Sequence, residues 1–487
     1  MPQNIDYHAI APELIVTGTI LILVGLEPFV RPERKWLAMP IALAGVLAAL
    51  GTTITLVGEH RVTFGGMYVV DDFAVLFKVF FLSAAAVVIG LSLRYFQEGR
   101  YYQGEYYFLL LASFLGALVM PSSRDLLMLF IALELVSAPG FLIAAFRKTD
   151  PRSNEAGLKF FLIGVLSSAV MLYGMSLVYG VTGTTRLAGI ADKLGGLHGG
   201  TETLSLAAIL FVVVGFAFKV SSVPFHFWAP DTYEGAPVPV AAFLSVASKA
   251  AGFAGLLQLM FVAFLPRSDF WAPIFAALSI ATMTIGNLVA LQQRQVVRLL
   301  AYSSIAQAGY MLLPFALVGF SHAVDKQAFQ AVELYILIYG VMNLGAFAVV
   351  IAMTREAPGA LITDFAGLAR RAPGLAVAMT AFLVSLAGVI PTAGFWAKFF
   401  VVRAAIDRHG IGYWLAGILV INAVISLFYY LSIARQMIFA EGEDRPPVRV
   451  PALVNGAVVL AVLAVFAVFV YPTLFTHWSN GATLLAR

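Results

Sequence analysis

Ionisable side chains inside long apolar runs are costly, and this chain carries several. Lys159 stands in Leu158-Lys159-Phe160-Phe161, and Lys219 closes Gly215-Phe216-Ala217-Phe218-Lys219. Lys249 and Lys398 lie in comparable runs, and Glu134 is the acid of Ile131-Ala132-Leu133-Glu134-Leu135. Amines and carboxyls take up and release protons. Burial disfavours a charged amine and a nearby carboxylate favours it, so a lysine whose glutamate partner approaches or withdraws is a switchable proton carrier. Glu134 with Lys219, followed by Lys249 and Lys398, has the composition of such a relay, and Lys159 is a further candidate. His226 is the one histidine outside apparent loops or tails, and its ordinary titration range suits proton transfer. Lys78, close to a predicted helix end, reads as a lysine that snorkels to the interface.

The elements that must position these groups follow from composition. Of 487 residues, 61% are hydrophobic and 11% charged, against about 25% charged in a typical soluble domain. Mean hydropathy is +0.91. A soluble enzyme, a nucleic-acid binder and a disordered scaffold are excluded; no basic run reaches five residues. The chain has no cysteine, which excludes disulfides, cysteine-ligated iron–sulfur clusters and thiol catalysis within it. No histidine pair or glycine-rich loop suggests a metal or cofactor site. What remains is an all-α polytopic membrane protein, because lipid leaves backbone groups no partner except one another.

Apolar runs and their polar breaks predict fourteen helices, near 12–30, 36–57, 73–95, 106–121, 125–146, 156–180, 203–221, 238–264, 270–292, 297–320, 329–354, 374–402, 411–440 and 451–474. The stretches 58–72, 181–202 and 355–373 read as loops, and Asp71-Asp72 as a solvated loop edge. Met1–Glu13 carries Asp6 and Glu13 and no Lys or Arg, which reads as leading into a retained first span. Odd-numbered loops hold sixteen Lys and Arg, against nine in even-numbered loops and termini. Both termini are therefore expected on the non-cytoplasmic side. The loop after helix 7 departs from this trend, with Asp231 and Glu234 and no cation.

Helices 7 and 12 are predicted to be broken. Helix 7 runs into Val220-Ser221-Ser222-Val223-Pro224-Phe225-His226-Phe227-Trp228, and helix 12 contains Gly388-Val389-Ile390-Pro391-Thr392-Ala393-Gly394-Phe395-Trp396. Irregular backbone at membrane depth is tolerated where it is buried or lines a wet cavity. The two breaks look alike, lie five helices apart, and are approached from opposite sides. That pattern marks an inverted repeat. The expected organisation is an N-terminal three-helix segment (1–105), a first repeat (106–264), a second repeat (265–440) and a C-terminal helix (441–487).

Several segments resemble one family. The run Glu155-Ala156-Gly157-Leu158-Lys159-Phe160-Phe161-Leu162-Ile163-Gly164, the stretch from Phe218-Lys219 through Pro224-Phe225-His226-Phe227-Trp228-Ala229-Pro230-Asp231 to Lys249, Leu300-Ala301-Tyr302-Ser303-Ser304-Ile305-Ala306, the helix-12 break, and Asn422 to Tyr430 look like subunit N of proton-pumping NADH:quinone oxidoreductase, respiratory complex I. The resemblance covers most of helices 3 to 13. It implies fourteen helices, two inverted five-helix repeats and a proton route through buried charges. Glu134 and Lys219 would be the paired switch, Lys249 the central relay and Lys398 the terminal relay, with Lys159 matching a further family lysine. It also implies that NADH, FMN, iron–sulfur clusters and quinone belong to partner subunits. The expected setting is a bacterial inner membrane, beside other membrane subunits and, through them, a peripheral redox arm. Position 307, where the family usually has histidine, is Gln307, which cannot titrate. Val297 stands where lysine is frequent, and the family's double proline is Ile390-Pro391. The alternative is a Mrp-type Na⁺(K⁺)/H⁺ antiporter subunit, which would call for more intramembrane carboxylates than Glu134 and Glu333. A purely structural subunit would have no use for the lysines, and no residue points to a quinone head-group site.

Overall fold

A computed structural model describes residues 5–98, 103–441, 447–482 and 484. Arg100, Arg445 and Arg487, which enter the orientation tally, lie outside the described residues. The chain begins with α1 (Ala11–Leu26) and α2 (Ala38–Ile54), and then a hairpin in which β1 (Arg61–Thr63) pairs antiparallel with β2 (Tyr68–Val70). Next come α3 (Asp72–Glu98), α4 (Gln103–Val119), α5 (Leu126–Ala144), α6 (Pro151–Thr182), the short α7 (Leu187–Leu194), α8 (Gly200–Lys219) and α9 (Trp228–Gly235). A π-turn at Leu244–Ser248 joins α10 (Val238–Phe243) to α11 (Lys249–Gln258), and a second π-turn, Leu259–Ala263, extends that rod. The second half runs α12 (Ser268–Ala290), α13 (Val296–Leu312), α14 (His322–Thr354), α15 (Leu368–Arg371), α16 (Pro373–Ala387), α17 (Ala393–Arg408), α18 (Ile411–Phe439), α19 (Ala452–Val470) and α20 (Thr473–Gly481).

Each predicted span has its counterpart. Among the described residues, twelve helices are long and apolar enough to cross a membrane. The first predicted span is the shorter α1, and the twelfth is the broken pair α16 and α17. Caps set several ends. Asp125 accepts from the Leu127 N–H to start α5, Asp150 followed by Pro151 starts α6, and Ser321 starts α14. The Ser321 cap brings α14 in at His322, seven residues before the predicted start.

Four expectations change. The stretch 58–72 carries the hairpin, 181–202 carries α7, and 355–373 carries α15. The eighth span is not a regular helix, because a π-turn precedes Lys249 directly. Asp71 is no solvated edge; it is half-buried and pairs with Arg124 at 2.7 Å. Lys78 does not snorkel. It is 0% exposed, pairs with buried Glu13 of α1 at 2.8 Å and donates to the Tyr68 hydroxyl at 2.6 Å. The hairpin and α1 lie over it, and its spacing along its own helix could not reveal either.

The rod Val238–Ala263 and α14 are the centre, with 100% and 94% of their apolar windows buried, whereas α19 buries 22%. Lys249 lies within the rod. Lys78→Met should cost about 3–5 kcal/mol, because it leaves Glu13 buried without a counter-charge. A fall in the thermal midpoint of the detergent-solubilised complex would show it. Glu13→Gln with Lys78→Met should recover most of that fall; an equal fall in both variants would trace the effect to packing instead of charge.

Candidate proton-relay site

The site is built from helix ends and neutral hydrogen-bond partners. α8 ends on Lys219, which is buried and donates to Ser137 Oγ of α5 at 2.8 Å. Glu134 lies three residues before Ser137, on the same face of α5. It is half-buried and accepts from Ser168 Oγ of α6. Glu134 bears electrostatically on Lys219, but the described residues show no ion pair between them: each is held by its own serine. The two residues expected to pair are therefore not joined in this structure.

Lys249 follows the π-turn, is buried, and donates to the Ser304 carbonyl of α13 at 2.8 Å and to Ser304 Oγ. One turn further along the same face, Gly252 meets the stem of Lys219. A Cβ at 252 would lie 2.9 Å from Lys219 Cγ. A residue without a side chain is what lets the first lysine lie against the helix that carries the second.

Between Lys249 and Lys398 lie neutral hydrogen-bonding groups. Ser303, next to Ser304, shares a hydrogen bond with the Tyr430 hydroxyl of α18. Gln307, one turn on, is also buried. Its amide donates to Tyr430 Oη at 3.2 Å and to the Leu386 carbonyl at 2.9 Å, and its Oε1 accepts from Tyr335 at 2.6 Å. Lys398 of α17 donates to that same Leu386 carbonyl at 3.1 Å and to Ala387 at 2.6 Å. Its Nζ lies 4.8 Å from the Tyr310 ring centroid. Gly388, at φ 89°, ends α16 in the left-handed conformation, and a Cβ there would lie 2.7 Å from Lys398 Cδ. A cavity of about 350 Å³ borders Lys398 between α17 and α18.

Two expected residues stand apart. Lys159 is 43% exposed and pairs with Glu155 and Asp231, both at 2.7 Å. Arg298 pairs with Asp231 at 2.8 Å and with Glu234 at 2.7 Å. The two acids after helix 7 thus find their cations on α6 and α13. His226 is buried in the first break with its Nδ1 unpartnered among the described residues, and it bonds to none of the lysines there. Sequence reasoning missed Ser137, Ser168, Tyr335 and Tyr430. Only Ser137, at helical spacing from Glu134, carried a readable signal. Among the described residues no group of three His, Cys, Asp or Glu could hold a metal ion.

A helical membrane bundle with two broken spans and a buried row of amines defines an antiporter-like subunit. Residues 123–426 match the family model described as NADH:quinone oxidoreductase/Mrp antiporter, TM. NADH-quinone oxidoreductase subunit N of Moorella thermoacetica is 41% identical over 481 residues, covering 98% of each chain. A chain of respiratory complex I from Thermus thermophilus with bound aureothin superposes with TM-score 0.80 and 30% identity, covering 96% of this chain and 100% of that one. A chain of the Mrp complex from Dietzia sp. superposes with TM-score 0.84 over 98% and 97%, and at 20% identity it shares the fold alone. The chain belongs to the subunit N family of NADH-quinone oxidoreductases. It is a multi-pass membrane protein and a proton-translocating subunit, working within respiratory complex I alongside other subunits.

Two substitutions probe the geometry. Gly252→Ala should push the Lys219 stem off its seat and lower coupled NADH:quinone turnover several-fold; a wild-type rate would mean the stem has another place to go. Gln307→Leu loses three hydrogen bonds, whereas a neutral histidine keeps one donor and one acceptor. Coupled turnover should therefore fall further in Gln307→Leu than in Gln307→His, and the reverse order would deny Gln307 its bridging role.

Proposed function

We propose that protons move through this subunit by way of Glu134, Lys219, Lys249 and Lys398, in that order along the bundle. One observation carries the reading. Three buried lysines have hydroxyl and carbonyl partners and, among the described residues, no ion pair with a carboxylate. Such partners serve an amine in either state, since NH₃⁺ offers three donors and NH₂ two donors with one acceptor. A lysine locked to a carboxylate would lose its partner's charge complement on deprotonation. On this reading Glu134 moves between Ser168 and Lys219, and its approach would change the charge that Lys219 can hold.

The chain has no cysteine to ligate an iron–sulfur cluster, and on the reading of this chain as a complex I subunit NADH, FMN and quinone, like the clusters, are held by partner subunits. Coupling arrives here as a conformational or electrostatic change. Antiporter-like and small membrane subunits would connect this chain to the peripheral redox arm. The basic-residue tally supports both termini on the non-cytoplasmic side, and the likeness to bacterial subunit N chains supports a bacterial inner-membrane setting. The matched breaks, Pro224 to Trp228 and Pro391 to Trp396, support two inverted repeats, 106–264 and 265–440, flanked by 1–105 and 441–487. Lys159, in its network with Asp231 and Arg298, would set the field at one mouth of the route. His226 would serve beside the first break, where its unpartnered Nδ1 can accept a proton.

Lys219→Ala and Glu134→Ala should each reduce proton-coupled quinone reduction at least several-fold, while donor oxidation by an artificial acceptor stays intact. Coupled turnover at the wild-type rate in both variants would defeat the relay assignment.

A further inference from the structure

Glu333 is a second buried acid, and the relay does not use it. It lies in α14 with 0% exposure. Its Oε2 accepts from Ser479 Oγ of α20 at 2.7 Å, and its Oε1 has no partner among the described residues. Two residues on, Tyr335 faces Gln307, which puts Glu333 roughly 200° around the helix from the relay. Its own face meets α3 and α20. Asp71, at the start of α3, is the charged group that bears on it, and Asp71 is already paired with Arg124. Asp72 lies against Gly481 of α20. His477 of α20 is exposed. Among the described residues no cation forms an ion pair with Glu333. One turn before it, Phe329 packs on Phe73 and Phe261, with ring centroids 5.8 and 5.2 Å away.

A cavity approaches this carboxyl through Ser479. It holds about 470 Å³ between α14, α17 and α20 and is lined by Gln327, Gln330, Arg403, Thr473, Thr476 and Ser479. Apolar Ala331, Leu334, Phe400, Ala404 and Pro472 complete its walls, and its polar groups and size suit several waters. Ser479 belongs both to this lining and to the bond with Glu333. Arg403 stands five residues beyond Lys398 on α17, so the same cavity runs along the helix of the last relay lysine.

We propose that Glu333 is a proton-exchanging carboxyl of this subunit, reached from the aqueous surface through the cavity beneath α20 and by way of the Ser479 hydroxyl. In uptake, the Ser479 proton passes to Glu333 Oε2 while a cavity hydronium gives its proton to Ser479 Oγ. One O–H bond breaks and one forms at the serine, and a neutral acid and a water are left. Release is the reverse. The orphan Oε1 then has a purpose: a buried oxygen without a partner costs about 1–3 kcal/mol, and a water entering from the cavity satisfies it. The inference rests on the reading of this chain as a proton-translocating subunit. It adds a site on the opposite face of α14 from the relay.

Glu333→Gln keeps the shape and an acceptor for Ser479 and removes titration. The test uses the assembled complex in sealed membrane vesicles, with NADH:quinone rate, protons pumped per NADH and the pH profile measured together. We expect at least a two-fold lower coupled rate, a lower pumping ratio and an altered pH profile, with oxidation by an artificial acceptor unchanged. Glu333→Asp, which still titrates, should retain more than half of the rate. Wild-type rate, ratio and pH profile in Glu333→Gln, with Lys398→Ala impaired, would overturn the proposal and leave the relay standing. Wild-type behaviour in both variants would overturn the relay reading as well. Should Glu333→Gln fail to assemble, Ser479→Ala puts the same question, and an unchanged rate and pH profile there would overturn the proposal.

Discussion

A helix that stops inside a membrane leaves backbone carbonyls that water cannot reach. The organisation of this chain depends on how those carbonyls are met. At the end of α16 the carbonyls of Leu386 and Ala387 are taken by the Lys398 ammonium, and Leu386 is shared with the Gln307 amide. The broken helix and the buried amine thus solve each other's problem. The end of α8 is handled differently. There the Phe218 carbonyl accepts from the Trp228 indole at 3.1 Å, which leaves Lys219 to a serine hydroxyl. The two breaks have similar residues and unlike hydrogen bonding. At the second break the lysine is bound to the helix end, whereas at the first it is held by a neighbouring helix.

This difference suits the two positions. Lys219 has Glu134 within electrostatic reach and a single hydroxyl partner, so its amine gives up one hydrogen bond on changing partner while its stem stays seated against Gly252. Lys398 has two carbonyls and the face of Tyr310. An amine so enclosed has less room to change partner, and the cavity it borders is otherwise lined by apolar side chains and Gly388. A lysine with one hydroxyl partner beside the acid and a lysine tied to a helix end form an asymmetric pair. On the proposed relay that asymmetry separates the group that is switched from the group that delivers.

Much of this was legible in the sequence, and the reason is energetic. A charge in an apolar run is expensive enough that Glu134, Lys219, Lys249 and Lys398 announce themselves, and spans of about 20 apolar residues announce the helices. The partners did not announce themselves. Serine and tyrosine hydroxyls are cheap in a membrane helix, so Ser168, Tyr335 and Tyr430 looked like their neighbours. Short elements failed for a related reason. α7 and α20 have eight and nine residues, and each hairpin strand has three, too few for a periodic pattern to stand out. Lys78 was misjudged because burial belongs to what lies over a residue. Here that is Glu13 and Tyr68, ten or more positions away along the chain.

Gln307 shows how the centre of the relay works on the proposed reading. No titrating side chain occupies position 307, and the Ser303, Tyr430 and Gln307 contacts are made by groups that keep their protons at ordinary pH. Their hydrogen bonds can reorient, however. When Lys398 changes protonation, its claim on the Leu386 carbonyl changes, and the Gln307 amide bound to that carbonyl must adjust. That amide also holds Tyr430, which holds Ser303, the neighbour of the serine that binds Lys249. A rearrangement can thus pass between the two lysines without a third protonation. Coupling of this kind follows bond direction and reach, which is why a residue that cannot carry a proton can stand at the middle of a proton route.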